Sequence, residues 1–70
     1  MKIKTHPEIN LIPCSATGYN VIYDESNIGI VTRNTRERDF WWWDTPNGGH
    51  GSVGSCTKAV EVCLAIWRKA

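Results

Sequence analysis

Residues 40–43 read Phe40-Trp41-Trp42-Trp43. Successive side chains of a strand point to opposite faces, so Phe40 and Trp42 share one face and Trp41 and Trp43 the other. One helix can bury only one face of a small sheet. The other pair of indoles then needs a second cover, a partner or a ligand. A helical stripe downstream ends in an indole of its own, and three arginines precede the run. On that pattern Phe40 and Trp42 are expected to be the structural pair, and Trp41 and Trp43 the accessible one.

The covering helix is legible in the last sixteen residues. Cys56, Ala59, Val60, Cys63, Leu64 and Trp67 recur at helical spacing and form one continuous apolar stripe. Ser55 stands where an N-cap is needed, its hydroxyl able to accept an otherwise orphaned N–H. Arg68 and Lys69 fall in the last turn, where cations favour the helix dipole. The spacing predicts a helix over 55–69 with Val60 and Leu64 in the core.

Upstream, residues 19–23 and 28–33 form the clearest hairpin. Tyr19, Val21 and Tyr23 share a face, and the second run is rich in β-branched residues. Asp24 to Asn27 supplies the turn, with Asn27 suited to a left-handed conformation. A short strand over 9–13 is expected to precede the hairpin and one over 40–45 to follow it. The charged segment 34–39 reads as an exposed turn. Residues 1–8 read as a loose polar arm, and 46–54 as a Gly-rich loop. The expected architecture is α+β: a single domain over 1–70, with a three- or four-stranded antiparallel β-meander across 9–45 and one C-terminal α-helix packed on one face.

Composition narrows the function classes. The 70 residues carry eight Lys/Arg against seven Asp/Glu, a net charge of +1. That balance offers no global steering toward nucleic acid or an anionic membrane. No apolar run approaches the ~18 residues of a membrane-spanning helix, and the N-terminal residues lack the apolar core of a signal peptide. Three cysteines suit a reducing compartment better than a disulfide framework, and a cytoplasmic protein is expected.

The motifs stop short of chemistry. Gly49 and Gly54 have phosphate-loop spacing, but Ser55-Cys56 stand where Lys-Ser/Thr is needed. His50-Gly51-Ser52-Val53-Gly54 approaches a nucleophile elbow, yet His50 replaces its first glycine. Cys14, Cys56, Cys63, His6 and His50 show no zinc spacing. No catalytic residue, metal or cofactor is expected, and the protein reads as a non-enzyme.

The candidate binding residues are Trp41 and Trp43, rimmed by Arg33, Arg36 and Arg38. Trp and Arg are enriched where binding energy concentrates. Val62 and Ile66 lie off the helix stripe and could extend a patch or close a dimer. Between Tyr19 and Trp67 the layout resembles small phage and prophage accessory proteins, whose helix starts with a Ser-x-x-x-Ala-Val pattern, here Ser55 to Val60. It also resembles AP2-type and integrase arm-binding domains, in which a sheet enters the DNA major groove. The first resemblance implies a module that docks on and modulates a host protein; the second implies nucleic-acid binding, although such domains are strongly basic. The leading expectation is a protein partner. A nucleic-acid-binding sheet and a structural homodimer are the alternatives, and no membrane is expected.

Overall fold

The computed structural model describes residues 2–34, 36, 40–46 and 48–69. Among these residues six strands run in sequence order as an antiparallel meander: β1 (Lys2–Ile3), β2 (His6–Pro13), β3 (Gly18–Tyr23), β4 (Ser26–Arg33), β5 (Trp41–Thr45) and β6 (Gly49–Val53). Helix α1 (Cys56–Lys69) follows and packs over β4, β5 and β6. The α+β layout agrees with the sequence reading. The strand count is higher, with five strands of five to eight residues and the two-residue β1 at one edge.

Two segments account for the difference. Residues 2–8 of the expected loose arm are not loose, because Ile3 and the adjoining Ile9 both reach the core and Lys2 pairs with Asn10. Two isolated isoleucines outweigh a polar neighbourhood in so small a core. Nor are residues 49–53, expected as part of a Gly-rich loop, a loop. Gly49 to Val53 pairs along the whole of β5, with Gly51 opposite Trp43 and Val53 opposite Trp41. Glycine weakens an isolated strand, but a large ring lying over it restores the buried surface that its missing side chain forgoes.

The β3–β4 hairpin is present where the pattern places it, with a different turn. Asp24 and Glu25 both adopt left-handed backbone, at φ 52° and 64°. Two positive-φ residues in a two-residue loop match the right-handed twist of the flanking strands. Asn27, expected to take that conformation, instead uses its Oδ1 to accept the Gly29 N–H at 3.0 Å. Val21 pairs with Gly29 and Ile22 with Asn27, so Ile28 is the extra residue of a bulge. It is only 1% exposed and belongs to the core.

The core is one layer between sheet and helix. Ile9, Leu11, Val21 and Val31 from the sheet meet Ala59, Val60, Cys63 and Leu64 from the helix. Ser55 caps the helix as expected: its Oγ accepts the Lys58 N–H at 3.1 Å, and its carbonyl accepts the Ala59 N–H at 3.0 Å. Gly29 lets the helix come down onto the sheet. A Cβ there would stand 2.7 Å from Cys63 Sγ.

Candidate functional site

The register of β4, β5 and β6 decides which face each indole occupies. Trp43 lies between Val31 and Gly51, and Trp41 between Arg33 and Val53. Val31 is fully buried beneath the helix, so Trp41 and Trp43 share the helix side. Both are half-buried and packed against the core. The Trp43 indole lies across Gly51, where an added Cβ would be 2.8–3.0 Å from its Cζ2, Cε2 and Nε1 atoms.

The expected assignment of the two pairs is therefore reversed. Trp42 is 49% exposed and Phe40, two residues before it, 40%. The faces are unequal, as anticipated, but Trp41 and Trp43 are the structural pair. Apolar patterning could not orient the strand, because its neighbour β4 carries apolar residues on both sides, Ile30 outward and Val31 inward. A usable signal was present in the glycines. Within strands they mark close approach of another group, and Gly29 and Gly51 both lie on the helix side.

The uncovered face is built from two registered rows. One runs Ile12, Asn20, Ile30, Asp44, His50 across β2 to β6. The next runs Thr32, Trp42, Ser52 across β4 to β6. Asn27 donates to Asn20 Oδ1 at 3.2 Å and holds the centre of the face in place. Ile12, Ile30 and Trp42 are exposed on it. The sequence reading passed over Ile12 and Ile30 and expected Trp42 to be structural.

The other candidate residues lie elsewhere. Arg33 joins Trp41, Tyr19, Thr17, Ala16 and Cys56 around a cleft of about 330 Å³ near the start of the helix. Its backbone N–H donates to the Thr17 carbonyl at 2.9 Å, which ties the cleft wall to β4. Arg36 is exposed, with its N–H bonded to Asn34 Oδ1 at 2.9 Å. Arg38 lies outside the described residues. The structure thus brings Arg33 and Trp41 together but places neither beside Trp42. Val62 and Ile66 are both half-buried, and Ile66 fills the space over Gly48. That internal packing makes Ile66 a poor dimer contact.

Electrostatics add little chemistry. Burial pushes the Cys63 thiol up to about 11 and raises that of Cys56 as well. Both are protonated near neutrality and poor nucleophiles. All three cysteines are free, with Cys14 exposed. His6 stands between Glu8 at 3.5 Å and Glu61 at 3.2 Å, linking the start of β2 to the helix. Among the described residues no three His, Cys, Asp or Glu side chains gather as a metal site. No helix among them is long and apolar enough to cross a membrane.

No protein-family model, curated protein or solved structure matches this chain.

Proposed function

We propose that the protein is a small non-enzymatic binding module that docks on another protein through the outer face of its sheet. One observation carries the reading: the helix covers one face of a six-stranded sheet, and the opposite face leaves Ile12, Ile30 and Trp42 open to solvent. Single exposed apolar residues are ordinary. Several on one face form a patch of the kind that marks an interface, and an exposed tryptophan at one end of it is a typical anchor. The mechanism is occlusion: the indole and isoleucines lose water against the partner, Thr32 and Ser52 flank the indole, and Asn20 lies between the two isoleucines. The phage-like layout fits a host protein as the target.

The test is capture from a cell extract with the wild type beside a Trp42→Ser, Ile30→Ser double variant whose fold is checked by circular dichroism. The expected result is a protein retained by the wild type and lost by the variant. An identical set of captured proteins would overturn the reading.

A second reading has its own observation. Arg33, Trp41 and Tyr19 meet at one cleft with Arg36 nearby in sequence, and arginine with aromatics can grip phosphates and stack on bases. Salt separates the two. Binding through phosphates falls with log salt at a slope near −0.9 per phosphate neutralised on duplex DNA, whereas apolar docking is nearly flat.

A further inference from the structure

The outer face is not uniformly flat. Beside Ile30 it opens into a recess of about 400 Å³ lined by Asn27, Gly29, Ile30, Asp44, Thr45 and Pro46. That is within the ~300–1,000 Å³ range of sites that seat a ligand group. The polar atoms of this lining are mostly committed. Asn27 Oδ1 accepts from Gly29, and its Nδ2 donates to Asn20. Thr45 Oγ1 accepts the Gly48 N–H at 2.9 Å and donates to the Gly49 carbonyl at 3.2 Å. The Asp44 carboxylate is the exception: it has no ion pair or side-chain hydrogen bond among the described residues. Asp44 is also the one acidic or basic residue, histidine aside, in the registered rows from Ile12 to His50 and from Thr32 to Ser52. The face therefore carries exposed Ile12, Ile30 and Trp42 among neutral polar groups, with one carboxylate, that of Asp44, beside a recess.

We infer that the docking partner is a protein segment that places a lysine or arginine in this recess, with apolar residues on either side of it. The inference rests on the docking reading above and names the partner's chemistry. The cation pairs with Asp44, its methylene stem lies along Ile30 as long basic side chains do on apolar surface, and a flanking apolar side chain packs on Trp42. A phosphate backbone or an anionic membrane carries the wrong sign for this face.

Two pools of immobilised heptapeptides test it. They are identical in their Leu, Ile and aromatic flanks and differ only at the centre, Arg in one and Glu in the other. Wild-type protein should be retained on the Arg pool at least tenfold over the Glu pool. Asp44→Asn, which keeps the shape and removes the charge, should erase that preference while leaving the melting temperature unchanged. Equal retention on both pools, a preference that survives Asp44→Asn, or no retention on either pool would overturn the inference. Sedimentation equilibrium supplies a further arm: a dimer lost on Trp42→Ser would make a second copy the occupant, and a basic partner would be ruled out. Retention of a labelled oligonucleotide lost on Trp42→Ser would do the same. Trp42-dependent capture from extract that is indifferent to Asp44→Asn would leave the docking surface standing and remove only the basic partner.

Discussion

The Trp43 indole lies over Gly51, with three of its ring atoms within 3.0 Å of where a Cβ would be. This contact makes a strand of a glycine-rich segment and commits the odd-numbered tryptophans to the helix side. Gly51→Ala should force the ring off β6 and cost about 1–3 kcal/mol, as overpacking does. Trp43→Ala should cost about 3 kcal/mol, toward the low end for large aromatic truncations because the ring is only half-buried. Urea unfolding of both variants checks the pair. A Gly51→Ala protein as stable as the wild type would mean that the ring lies elsewhere.

Gly29 and Cys63 form the second close approach, with the sulfur 2.7 Å from the point a Cβ on Gly29 would occupy. Gly29→Ala should destabilise by about 1–3 kcal/mol. Pairing it with Cys63→Ala should recover only part of that loss, since the second change removes the sulfur but leaves the Asp44 carbonyl oxygen 2.9 Å from the added Cβ. Unfolding free energies of the two single variants and the double variant measure the coupling. Strict additivity would contradict the contact.

Glu25 holds a left-handed backbone conformation at φ 64°. Such a conformation costs a non-glycine residue roughly 1–2 kcal/mol, and glycine's extra unfolded-state freedom offsets about 0.5–1 of the relief. Glu25→Gly should therefore stabilise by about 0.5–1 kcal/mol. For a domain this size that is a rise in Tm of roughly 2–8 °C. A fall in Tm would show that the turn is of another type.

Burial raises the folded-state pKa of Cys63 to about 11 from an ordinary 9.0. The folded state holds this proton more tightly than the unfolded chain does. Its contribution to stability is complete below the unfolded value and is lost as pH climbs through the folded one. Wild-type stability should thus fall more steeply than that of Cys63→Ala between about pH 9 and about pH 11. The groups that the two proteins share drop out of the comparison. Equal slopes would place Cys63 in water, as would labelling of Cys63 as fast as the exposed Cys14 in the folded protein.

The helix was readable because its signal is redundant: six stripe positions, an N-cap and a basic last turn agree from Ser55 to Lys69. The β3–β4 hairpin was readable for the same reason. What could not be read was long-range. Ile3 looks like an isolated residue until β1 folds back on β2. Gly49 to Val53 looks like a loop until Trp43 lies on it. The orientation of β5 depends on its partners Val31 and Val53, and the alternation within residues 40–43 is equally satisfied by either face. A shift of one residue in register exchanges the faces completely, so this single ambiguity moved the candidate site from Trp41 and Trp43 to Trp42, Ile30 and Ile12.

The unequal exposure of the indoles is measured most directly by fluorine NMR on protein grown with fluorotryptophan. Single Trp→Phe changes assign the four resonances, and the shift of each between H₂O and D₂O reports its contact with solvent. Trp42 should show the largest solvent shift of the three strand indoles and Trp43 a clearly smaller one. A Trp43 shift equal to or larger than that of Trp42 would put the open face on the other side of the sheet and remove the proposed docking surface.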